Sequence, residues 1–264
     1  MNIPGLTAGT VAAFLLALVR ASAWVAVSPP FNTRTVPSQV KVALAFALAL
    51  AVTPTVAGAH HGRDIPLDFG GFAGVILLQV VIGVTLGFLA LLMFSAVQAA
   101  GGLVDLFGGF TVDSAYDPLS NAQSSVFGRF HQLMATTLLF AIDGHLMLVR
   151  GFMASFTVVP AKTLRWNDLA RLVTDDVGRF MLAAAELAGP LVAVLFVTEV
   201  ALGLLSKAAP TLNVLQLGFP LKIMVTLLLV GTVIALMPDA VAGLLEQVLR
   251  NWGAALRMFP KLGG

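Results

Sequence analysis

There is no cysteine in the chain, so disulfides, thiolate nucleophiles and thiolate-bound metals are excluded, and the redox character of its compartment leaves no mark on the sequence. Charge is almost as scarce: 11% of residues are charged, against about 25% in a typical soluble domain, while 58% are hydrophobic and the mean hydropathy is +0.95. A chain of 264 residues with this composition is an integral membrane protein, read as a single domain over 1–264. A net charge of only +2, with no compact Lys/Arg patch, argues against a nucleic-acid partner. The patterns HExxH, GxxxxGK[ST] and GxGxxG are all missing, which removes the usual zinc-protease, P-loop and dinucleotide readings. The expectation is a protein with no catalytic residues, no cofactor and no metal. Aromatic belts are thin as well, with 3 Trp and 1 Tyr, which suits a perimeter covered partly by other proteins.

What is present is apolar sequence in runs of membrane-spanning length, roughly 17–25 residues. Such runs lie near Val11–Val27, Val40–Val56, Gly71–Ala99, Phe127–Met153, Phe180–Leu205 and Leu212–Met237, and they predict an all-α integral membrane protein with about six long hydrophobic helices. Ala21-Ser22-Ala23 has the form of a peptidase site, yet Met1–Thr10 holds no Lys or Arg and apolarity resumes at Trp24, so the first run is expected to be retained. Basic residues favour one side of the membrane (Arg63, Arg150, Lys162, Arg165, Arg171, Arg179, Arg250, Arg257, Lys261) over the other (Arg34, Lys41, Arg129, Lys207, Lys222), which predicts cytoplasmic termini. Two stretches, near 168–180 and 240–258, are amphipathic and suit an interfacial position or contact with a cytoplasmic partner.

Glycine and proline punctuate the runs. Gly83 and Gly87 have the GxxxG spacing that lets helices approach closely, whereas Gly189-Pro190 and Gly218 with Pro220 predict kinked or broken helices. Arg20, Asp143, Glu186 and Glu199 place charge within the runs, where each costs about 2.5–3.5 kcal/mol at mid-bilayer. Glu186 and Glu199 stand about 20 Å apart along a continuous helix and cannot share an ion. Span-end salt bridges, contacts with other subunits and a proton or ion relay are the roles open to these charges. His60-His61 lacks a third ligand nearby, and Tyr116-Asp117 is only half of an intramembrane aspartyl-protease pattern.

The segment Gly101–Ser125 reads as a long connection between the third and fourth runs. Its paired glycines, with Phe107 and Phe110 among aliphatics, have the makings of a movable apolar seal. Several blocks then carry a resemblance across nearly the whole chain: Arg34–Lys41 with Pro37; Gln98-Ala-Ala-Gly101-Gly-Leu-Val-Asp105 followed by Tyr116-Asp117-Pro118; Asp143-Gly144-His145; and Ala209-Pro210-Thr-Leu-Asn213-Val-Leu-Gln-Leu-Gly218-Phe219-Pro220-Leu-Lys222. With these blocks the chain resembles the FliR family of flagellar export-gate proteins, called SctT in injectisomes. Thr211, Tyr116, Asp143 and the stretch Leu106-Phe107-Gly108 depart from the residues common in that family.

The resemblance implies a core subunit of a flagellar type III protein export gate in the plasma membrane, with helices packed as hairpins in a multi-subunit assembly. The implied partners are FliP-like and FliQ-like subunits, FlhB-like and FlhA-like components, and unfolded proteins in transit. It also implies a plug around Leu106, Phe107, Gly108, Gly109, Phe110, Thr111, Tyr116, Asp117 and Pro118. The other motif residues, Pro37, Lys41, Gln98, Gly101, Asp105, Asp143, Gly144, His145, Pro210, Asn213, Gly218, Phe219 and Pro220, are expected to serve packing and assembly. An injectisome subunit is the alternative within the same family, and a secondary transporter for a small molecule is the alternative from another class.

Overall fold

The computed structural model describes residues 8–33, 35–58, 69–110, 125–158, 166–211 and 214–258, and among them it forms seven α-helices and no strand. In chain order these are α1 (Ala8–Val27), α2 (Ser38–Gly58), α3 (Phe69–Gly108), α4 (Val126–Ala141), α5 (Gly144–Val158), α6 (Trp166–Ala208) and α7 (Val214–Met258). By length and composition α1, α2, α3, α6 and α7 can each cross a membrane, and the bent pair α4 and α5 makes up to six spans if it counts as one. The all-α membrane architecture read from the apolar runs is therefore the observed one.

The boundaries differ from the expected runs in instructive ways. The third helix does not stop near Ala99 but continues through Gly101-Gly102 to Gly108, so the first part of the expected connection is helical. In an apolar medium an unpaired peptide group costs more than a helical glycine, and the helix carries on. The run Phe127–Met153, in contrast, is interrupted. Asp143 takes a left-handed conformation with φ of 55°, which Asp tolerates better than most side chains, and its carbonyl accepts the Leu146 N–H at 3.0 Å to start α5.

Of the kinks or breaks expected at Pro190 and Pro220, a break occurs at neither: α6 and α7 continue through them, and α2 and α7 likewise contain Pro54 and Pro238. One lost backbone bond is a small loss in helices of 43 and 45 residues whose other peptide groups pair internally. The amphipathic stretches near 168–180 and 240–258 are the start of α6 and the end of α7 respectively, continuous with the apolar runs beside them.

The chain divides into two compact units. The first comprises Met1–Leu92, Asp143–Asp176 and Leu245–Gly264. Here α1 and α2 pack together, and α3 lies against α1 at Gly83 and Gly87: a Cβ on Gly83 would stand 2.9 Å from the Ala23 Cβ, and one on Gly87 2.9 Å from the Val27 Cβ. The GxxxG spacing thus serves close packing, as expected. Trp24 stacks on Phe152 with centroids 4.5 Å apart, and the buried Trp252 donates its indole N–H to the Leu86 carbonyl at 3.0 Å.

The second unit comprises Met93–Ile142 and Val177–Leu244. Its core joins Val104 of α3, Phe127 of α4, Leu191 and Leu195 of α6 and Val233 of α7, with Phe107, Phe110 and Leu229 packed around them. A mostly apolar cavity of about 220 Å³ lies between α6 and α7, lined by residues that include Glu186, Pro190, Val194, Leu229 and Thr232.

Candidate functional site

The second unit gathers the end of α3 and the start of α4 around one buried carboxylate. Asp105 is completely buried, and its side chain accepts the Phe127 N–H at 3.0 and 3.2 Å, the Gly128 N–H at 3.4 Å and the Ser125 hydroxyl. Ser125 is the N-cap of α4 and also accepts the Gly128 N–H at 2.8 Å. These are the orphan donors of a helix N-terminus, where backbone N–H groups and the positive end of the helix dipole favour a carboxylate. The main-chain carbonyl of the same Asp105 accepts the Phe110 N–H at 3.0 Å. One residue therefore holds the chain where it leaves α3 and where it enters α4.

Glycine makes this meeting possible. A Cβ on Gly101 would collide with the Phe127 carbonyl, and one on Gly128 would press on the Ser125 side chain and lie 3.1 Å from the Gln98 carbonyl. Helix ends in backbone contact leave no room for a side chain at either position. Gly108 sits where a Cβ would be 2.8 Å from the Thr226 hydroxyl, and Gly109, with φ of 82°, takes the left-handed turn that ends α3 beneath the Phe219 ring.

The aromatic residues expected in the seal are brought together in part. Phe110 meets Phe127 edge to face with centroids 5.1 Å apart, while Phe107 packs on the same cluster. Leu106, on the last turn of α3, is 59% exposed. Leu106, Phe107 and Gly108 are helical rather than part of a loop, for the reason given above, and Gly109-Phe110 form the turn. Thr111, Tyr116, Asp117 and Pro118 lie outside the described residues, as do Asn213, Arg34 and His60-His61.

The remaining motif residues make other contacts. Pro37 caps α2, its carbonyl accepting the N–H groups of Val40 at 3.1 Å and Lys41 at 3.3 Å, while the Lys41 ammonium donates to the Thr33 carbonyl at 3.0 Å. Asp143 forms the break described above, Gly144 beyond it is buried, and His145 follows on α5. Pro210 lies in the turn after α6, Pro220 is exposed on α7, and a Cβ on Gly218 would come within 3.3 Å of Leu202.

The charges within the runs resolve separately. Glu199 of α6 pairs with Lys222 of α7. Glu186 lines the α6/α7 cavity. Arg20, in the first unit, is only 2% exposed and has neutral partners: Nε donates to the Gln79 side-chain oxygen at 2.7 Å, a terminal nitrogen donates to the Ser155 carbonyl at 3.0 Å and hydroxyl at 3.1 Å, and the guanidinium lies 4.3 Å from the Phe156 ring centroid. Sequence reasoning does not find Gln79, Ser155, Ser125 or Thr226. Ser125 alone carries a local signal, as a hydroxyl residue directly before an apolar helical run.

The family model for bacterial export proteins, family 1, matches residues 11–248. The chain belongs to that family. Among bacterial export proteins of known name it is similar to the flagellar biosynthetic protein FliR of Bacillus subtilis, 30% identical over 90% of this chain and 93% of the relative, and to that of Escherichia coli, 32% identical over 84% and 82%. It is also similar to the Yop proteins translocation protein T of Yersinia pestis, 30% identical over 66% of this chain and 67% of the relative. The resemblance read from the motif blocks is thus a family membership covering nearly the whole chain.

Proposed function

We propose that this protein is the FliR-type subunit of a bacterial type III export gate, forming with FliP-like and FliQ-like subunits the channel through which unfolded proteins leave during flagellum assembly. The observation that supports this most strongly is the family match from residue 11 to 248, joined by flagellar relatives that align over most of both chains. An injectisome gate subunit is the second reading, favoured by the similarity to the translocation protein of Yersinia pestis. On either reading the chain is a membrane-embedded conduit, not a catalyst. It sits in the plasma membrane at the basal body with cytoplasmic termini, in contact with FlhB-like and FlhA-like components.

The seal of the closed gate has Phe107 and Phe110, packed on the core of the second unit, as its base and the exposed Leu106 as its movable edge. Apolar side chains at a constriction exclude water and ions at rest. Co-expression with FliP-like and FliQ-like proteins should yield a complex of defined mass, whereas a chain that purifies as a self-sufficient carrier would overturn the reading. Deleting Leu106–Phe110 should make the assembled gate conduct small ions, and conductance equal to wild type would remove the seal.

A further inference from the structure

We propose that Asp105 is a standing clasp: it holds the chain's exit from α3 to its entry into α4 in the closed gate, and it stays shut while protein passes, so that opening does not part Phe110 from Phe127. The proposal rests on the export-gate reading above and concerns how that gate is held.

Three observations carry it. First, both ends converge on one residue. The Asp105 carbonyl takes the Phe110 N–H, and its carboxylate takes the Phe127 and Gly128 N–H groups and the Ser125 hydroxyl. Second, letting go is costly. Asp105 is fully buried and all these partners are neutral donors, so a parted clasp would leave its side chain without partners in the apolar core and strip α4 of its cap. Third, α3 and α4 meet backbone to backbone at Gly101 and Gly128, a fit that tolerates no sliding. The surrounding contacts differ in kind. Gly109 lies under the Phe219 ring, with Phe219 itself 37% exposed, and Leu106 is 59% exposed. Contacts between side-chain surfaces can slip or repack without stripping a buried carboxylate of its donors, so motion on opening belongs to the side chains of Leu106 and Phe219, and the clasp is the fixed base beneath them.

The absence of native cysteine allows a direct test in the complete assembled complex. A Cβ on Gly102 would lie 3.9 Å from the Ser125 Oγ, which makes positions 102 and 125 neighbours across the α3/α4 junction and the pair at which to try a disulfide. The double variant Gly102→Cys with Ser125→Cys should oxidise readily, and its export when oxidised should equal its export when reduced. Failure to form the bond, or export that stops on oxidation and returns with reductant, overturns the proposal.

A second arm addresses positioning. Asp105→Ala should let the closed complex leak ions, Asp105→Asn, which keeps one acceptor, should leak less, and in the Asp105→Ala background the oxidised cysteine pair should restore closure until reductant is added. Leak without rescue, or no leak at all, counts against the clasp. Should the Ala variant fail to assemble, the Asn variant carries the same comparison. If deletion of Leu106–Phe110 produces no leak, the seal reading has failed on its own, and the clasp is then judged by the cysteine pair and by amide exchange. Exchange at Phe127 and Gly128 should rise about tenfold or more in Asp105→Asn, and unchanged exchange would overturn it.

Discussion

Arg20 and Gln79 meet side chain to side chain in the first unit, the guanidinium Nε donating to the amide oxygen at 2.7 Å. A neutral acceptor so placed spreads the buried charge without adding a second ion that must also be desolvated. Gln79→Leu keeps the volume and removes the acceptor, so it should destabilise the solubilised complex by about 1.5–3 kcal/mol, seen as a lower melting temperature. Arg20→Lys should do comparable harm, because an ammonium cannot span Gln79 and Ser155 while lying over the Phe156 ring. Melting unchanged from wild type in both variants would show that the contact contributes little.

Glycines on the long helices should fall into two groups. Gly83→Ala sets a methyl 2.9 Å from the Ala23 Cβ and against the Arg20 carbonyl, and should cost about 1–3 kcal/mol. Gly243→Ala meets nothing within 4 Å and removes a flexible residue from α7, so it should be neutral or stabilise by about 0.5–1 kcal/mol. Thermal melts of the two variants side by side give the comparison, and equal effects would refute the close approach of α3 to α1.

Glu199 and Lys222 tie α6 to α7 within the second unit. The glutamate side chain is 61% exposed, so the pair is worth about 1 kcal/mol at most where water reaches it. Reversing either charge alone should lower complex yield, while the exchange Glu199→Lys with Lys222→Glu should recover most of it. A double variant no better than the worse single one would show that the two residues act independently.

Leu106 and Phe127 should separate sealing from folding. Phe127→Ala hollows the core of the second unit and should cost about 3–5 kcal/mol, lowering the amount of assembled complex. Leu106→Ser alters an exposed side chain and should shift stability by no more than about 0.5 kcal/mol, yet raise ion conductance through the closed gate. A leak in neither variant would move the seal elsewhere.

Sequence alone reveals the solvent, the helical class, five of the spans and the family, because these depend on composition, run length and contiguous motif blocks. It misplaces features decided by tertiary contact. Gly101-Gly102 looks like the start of a connection, yet α3 continues through it, and Gly101 is there because the approach to Phe127 leaves no room for a side chain. Pro190 and Pro220 look like breaks, yet the chain actually turns at Asp143, whose backbone conformation matters more than its charge. The role of Asp105 is hidden for a different reason. The partners of its side chain lie 20 to 23 residues away, beyond the reach of any helical or strand periodicity.

The 45 residues of α7 give it an axial length of about 68 Å, while a bilayer offers about 30 Å of hydrocarbon. Even at a tilt of about 40°, the upper end of what spanning helices adopt, roughly 20 Å of its height stands outside the lipid. Leu217, Met224, Leu227, Leu228 and Leu236 face outward over a stretch of about the hydrocarbon depth, so lipid can cover them and the overhang falls on the amphipathic stretch near 240–258. Water can solvate the polar face of that stretch but not its apolar stripe, so the far end of α7 needs a cover other than lipid tails.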